Sequence, residues 1–204
     1  MRVIFVSCIY TIVSYGLMSF FGVYKTDKPE EYGLGFTMSF ISALFIMYSI
    51  VRALVSKAMG RLADKYSFKV LAMVSYALLA VCLFIVMFAV PENAKLLVAI
   101  HYLFYAFAMA GVSSCTVNLL YEEILPEQRM CAYAVQQAFS GLIGFLVAVV
   151  VGVFVDHVHT LPGGQIGGWF AQQWLACLGG ILCVVAVVHI ACFMKNKDKQ
   201  EKID

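Results

Sequence analysis

Apolar positions in this chain gather into six long runs, at about residues 3–24, 34–56, 70–90, 96–120, 130–155 and 169–194, with short polar stretches between them. A helix needs about 20 mostly apolar residues to cross a hydrocarbon core ~30 Å thick, and each run reaches that length. The pattern predicts an all-α membrane protein with six transmembrane helices and a basic tail over 195–204. The first run follows Arg2 as a signal peptide would, but it is long, contains Tyr10 and Tyr15, and lacks a small-x-small cleavage site. It is therefore expected to be retained as a helix.

Polar positions inside the runs form stripes. At 100° per residue, Ser7, Tyr10, Thr11 and Ser14 fall within an arc of ~100° on the first helix, with Met18 on the same side. On the fourth helix His101, Tyr102, Tyr105, Met109, Ser113 and Thr116 fall within about 120°. Hydroxyls are costly in hydrocarbon, so such stripes should face protein or a water-filled cavity. Two readings follow: a lining for a solute path, or hydrogen-bonding glue between helices. His101 carries the same choice. The third run is apolar all round apart from Ser75 and Tyr76. Gly141, Gly144, Ala148 and Gly152 lie along one face of the fifth, where small residues predict a tight helix contact. Trp169 and Trp174 stand where an interfacial belt is expected.

Charge refines this picture. The chain is 63% apolar and 13% charged, about half the charge of an ordinary globular domain. A net charge of +2 suggests no nucleic acid partner; the anionic face of the lipid bilayer suits the basic stretches better. The stretch Lys57 to Lys69, with Asp64 its one acid, is expected to be a cytoplasmic loop. With both termini cytoplasmic, the inner set is Arg2, Arg52, Lys57, Arg61, Lys65, Lys69, Arg129 and the four lysines of the tail, leaving only Lys25, Lys28 and Lys95 outside. Arg52 is expected to snorkel to the inner headgroups. Lys25 is expected in an outer loop with Asp27, Pro29, Glu30 and Glu31. The seven cysteines are scattered without metal spacing and read as small apolar residues. Asp156, His157 and His159 are expected in a solvated, glycine-rich loop, so neither a metal nor a cofactor is expected. No acid lies deep in any run, which disfavours an intramembrane enzyme.

Gly60-Arg61-Leu62-Ala63-Asp64-Lys65-Tyr66-Ser67-Phe68-Lys69 resembles the signature of the major facilitator superfamily, G-x-L-A-D-[RK]-x-G-R-[RK]. Gly60, Leu62, Ala63, Asp64, Lys65 and Lys69 match, while Ser67 and Phe68 stand where Gly and Arg are usual. Glu122 and Arg129 are similar to the Glu-x6-Arg spacing after the fourth helix, and Gly152 to Asp156 also looks familiar. The degeneracy resembles a second copy of the motif, hence a C-terminal half. The resemblance implies a six-helix half of a secondary transporter in the cell membrane. Helices 1 and 4 would line the path of a small-molecule solute, 2 and 5 would meet the other half, and 3 and 6 would face lipid. It makes Gly60, Asp64, Lys65, Glu122 and Arg129 a cytoplasmic gate, with Asp64 near a helix N-terminus. Tyr10, Thr11, Ser14, His101, Tyr105, Met109 and Ser113 become the candidate path. Such transporters work as two halves rocking about a midplane site, so the expected partner is a second six-helix half or a second copy of this chain. The competing expectation is a scaffold or truncated remnant that moves nothing.

Overall fold

The computed structural model describes residues 2–28 and 33–194. The tail over 195–204 and the loop residues Pro29, Glu30 and Glu31 lie outside the described residues.

Among the described residues, six helices have the length and hydropathy to cross a membrane. They are α1 (Val3–Thr26), α2 (Met38–Tyr66), α3 (Phe68–Met87), α4 (Ala94–Glu123), α5 (Arg129–His159) and α6 (Ala171–Phe193). A two-stranded hairpin, β1 (Gln165–Ile166) and β2 (Trp169–Phe170), precedes α6. Its turn is Gly167 and Gly168, at φ 60° and 82°, left-handed values that glycine adopts without strain. Trp174 closes the hairpin by donating from Nε1 to the Ile166 carbonyl at 3.1 Å. The expected glycine-rich loop is thus ordered. It is also shorter than expected, because α5 continues through Asp156 and His157.

The motif stretch is not a loop. Residues 57–66 continue α2, and the chain turns at Ser67 alone, which caps α3 by accepting from the Val70 N–H at 3.4 Å. Asp64 accordingly lies in the last turn of α2, not at the first turn of its own helix. Lys69 in the first turn of α3 donates from Nζ to the carbonyls of Ala191 (3.1 Å) and Met194 (2.5 Å). Those belong to the end of α6, where carbonyls lack helical partners and a cation is favoured.

The second helix also starts later than its apolar run. Leu34 and Phe36 are extended, and their N–H groups donate to the carbonyls of Tyr24 and Lys25, each at 2.8 Å. This strap holds the last turn of α1 against the rest of the bundle.

The packing centre is α3, which lies between α4 and α6. Leu71, Ala72, Tyr76, Leu79 and Leu83 are fully buried, and Tyr76 Oη donates to the Val6 carbonyl of α1 at 3.1 Å. The opposite face of α3, at Val74, Ala77 and Val81, is exposed, so this all-apolar helix has one side packed in the bundle and one side open to lipid. Gly111 of α4 lies so close to Ser75 that no side chain fits between them.

Candidate functional site

The first helix is interrupted at its middle. Ile12–Leu17 is a π turn, with the Met18 N–H donating to Val13 O, five residues back, at 2.9 Å. Such bulges rotate everything beyond them by about one residue's worth of helix, ~100°. The stripe read at a constant 100° per residue is therefore split. Ser7 and Thr11, before the turn, face α5: Gln136 Nε2 donates to Ser7 Oγ at 2.6 Å, Ser7 and Ser140 hydroxyls are 3.4 Å apart, and Thr11 turns its methyl to Gly144 while its hydroxyl donates within α1 to Ser7 O at 3.1 Å. Ser14 and Met18 face a cavity instead.

This cavity, about 320 Å³, lies between α1, α2 and α4. Three planar rings form one wall. His101 stacks on Tyr105 at 5.5 Å and 15°, and Tyr105 on Tyr48 at 5.6 Å and 28°. His101 Nδ1 lies 2.9 Å from the Cys82 carbonyl; a carbonyl only accepts, so Nδ1 carries the hydrogen. That bond fixes the ring to α3 while one face lines the cavity. Ser14 Oγ is buried there, with no hydrogen bond of ordinary geometry among the described residues.

At the α1–α2 end of the cavity is a residue the stripes did not include. Lys25 is only 4% exposed and donates from Nζ to Tyr102 Oη. Its ammonium lies over the rings of Phe21 and Phe45, both at 5.3 Å, and of Tyr102 at 4.9 Å. The expectation of a loop charge is corrected, and helix geometry supplies the reason. Side chains tilt toward the N-terminus of their helix, so a lysine in the last turn of α1 points back along the helix into the bundle.

Arg52 is corrected in the same way. The helix runs on for fourteen residues beyond it, to Tyr66, or ~21 Å at 1.5 Å per residue. Instead of reaching a helix end, Nη1 donates to Tyr48 Oη at 3.0 Å. Tyr48 and Arg52 are one turn apart on α2, a spacing visible in the sequence once that helix is given its full length.

The remaining candidates lie elsewhere. Tyr10 is half-buried, edge-on to Tyr15 at 6.3 Å. Met109 is buried further along α4, and Ser113 is exposed with its hydroxyl on the Met109 carbonyl at 2.8 Å. Gly144 and Gly152 face α1, where an added Cβ would meet Thr11 Cγ2 at 2.7 Å and Phe20 Cζ at 3.4 Å. Ala148 is half-buried beside them, and its backbone nitrogen approaches Gly16. Gly141 faces open space. Of the gate set, Asp64, Lys65 and Glu122 are exposed and Gly60 is half-buried without a close neighbour. Arg129 lies with Cζ 5.4 Å from the Tyr121 ring.

The sequence profile of the Major Facilitator Superfamily matches residues 3–204. Nothing matches among curated proteins or among solved structures.

Proposed function

The chain belongs to the Major Facilitator Superfamily, a family of multi-pass membrane transporters, and from that premise we propose that it is one six-helix half of a secondary transporter. A second half, on the same polypeptide or on another chain, completes it, and the two rock about the cavity between α1, α2 and α4 to expose it alternately on each side. The observation that carries this reading is that cavity. There Ser14, Tyr48, His101, Tyr102 and Tyr105 converge.

Two exposed helices support a partner. In their central windows only 11% of α2 and 22% of α5 is buried, against 39–50% in the other four. Cavity residues Ser19, Gly22 and Phe45 are themselves exposed, so the cavity opens on the side that a second half would cover. The motif residues Gly60, Asp64 and Lys65, with Glu122 and Arg129, form the cytoplasmic gate. Both termini are cytoplasmic in the cell membrane. That orientation rests on the basic stretch at 57–69, and burial of Lys25 leaves only Lys28 and Lys95 as outer-loop cations. The C-terminal-half assignment rests on the departures at Ser67 and Phe68.

Labelling tests the solute path. With Cys131, Cys177 and Cys192 replaced by serine, Ser19→Cys and Tyr48→Cys should react with a water-soluble maleimide in proteoliposomes. Val184→Cys and Val188→Cys, on an exposed apolar face of α6, should not. Modification at Tyr48→Cys should also block solute flux when a second half is present. Equal labelling at all four positions would remove the path.

A further inference from the structure

We propose that the cavity takes a small organic anion with a flat apolar body, its anionic group bound by Lys25. This rests on the solute-path reading and names the substrate class. Lys25 is a buried cation whose polar contact, among the described residues, is the neutral phenol of Tyr102. The three ring faces around it attract an ammonium but carry no charge to balance it, and buried charges are ordinarily paired. Among the described residues, no Asp or Glu lines the cavity.

The surrounding hydroxyls are also arranged as donors. Tyr102 Oη accepts from Lys25 and Tyr48 Oη accepts from Arg52, which leaves the O–H of each to donate elsewhere. Two cations thus polarise two phenols that line the same space. An ammonium with adjacent O–H donors matches a group that only accepts, such as a carboxylate. A cationic solute would meet Lys25 as a like charge, and a neutral one would leave the ammonium unpaired. Phe21 and Phe45 offer apolar ring surface beside the anion position.

Benzoate, benzyl alcohol and benzylamine share one ring and differ in charge, so they separate the possibilities. With the full chain in lipid nanodiscs, benzoate should raise the melting temperature and the other two should not. Lys25→Met should weaken benzoate binding by about tenfold or more, and Lys25→Arg should retain most of it. Tyr102→Phe, which keeps the ring and removes the donor, should give an intermediate loss and serves if the methionine variant does not fold. A larger shift with benzylamine or benzyl alcohol overturns the anion assignment while leaving a solute cavity. Benzoate binding that survives both Lys25→Met and Tyr102→Phe does the same. No shift with any probe also overturns it, and the maleimide labelling then decides whether the path falls with it.

Discussion

Ser67 takes φ 142° and ψ 160°, a backbone region that is essentially reserved for glycine and costs about 1–3 kcal/mol for other residues. It is the position at which the family signature usually has glycine, and the place where α2 must stop and α3 begin within one residue. The hydroxyl returns part of that cost by capping Val70, but through a long bond, and replacing a capping serine by glycine loses only a few tenths of a kcal/mol. Ser67→Gly is therefore expected to stabilise the chain by about 1 kcal/mol, read as a higher midpoint in a detergent unfolding titration. An unchanged or lower midpoint would mean that the strain is not there. The signature's other positions show the same local logic. Lys69 is held by the last carbonyls of α6, so this basic residue has a structural task beyond orienting the chain.

Among the elements, α1 decides where the cavity lies. Its π turn separates a packing half from a lining half, which a wheel drawn with one angle cannot represent. Contacts with α5 use small residues: Gly144 receives Thr11, and Gly16, inside the π turn, receives Val147, whose Cγ1 would lie 2.6 Å from an added Cβ. Gly144→Leu should force α1 and α5 apart and destabilise the bundle by about 1–3 kcal/mol, the usual cost of overpacking. Gly141→Leu on the same helix should change little, since nothing lies within 4 Å of its added Cβ. Unfolding midpoints of the two variants, compared with the parent chain, check the difference. Equal effects would mean that the close approach of Thr11 to Gly144 is not what holds α1 against α5.

For the whole molecule, an even number of crossings places residues 2 and 194 on one side, and the clustering of basic residues at 57–69 is the ground on which that side is proposed to be cytoplasmic. A reporter fused after Asp204 should be active only inside the cell, and one inserted at the 91–93 turn only outside. The reverse pattern would refute the orientation and the gate assignment together. Six crossings, their approximate centres and the family were legible in the sequence, because length, hydropathy and the signature at 60–69 are local properties that survive without knowledge of packing. The helix ends were less so. Apolar runs mark where lipid is tolerated, whereas helices stop where a cap or a backbone turn forces them to, as at Thr37 and Ser67.

The sequence by itself determined that this chain crosses a membrane six times and belongs among major facilitator proteins. Tertiary structure decided that Ser7 bonds to a neighbouring helix and Thr11 packs on it while Ser14 borders a cavity, that Lys25 and Arg52 turn inward, and that α3 lies at the centre. The physical reason is that burial in lipid and burial in protein select the same apolar residues. Only the packed bundle, with its π turn and close helix contacts, tells which apolar face meets which neighbour and where a charge is left facing a space.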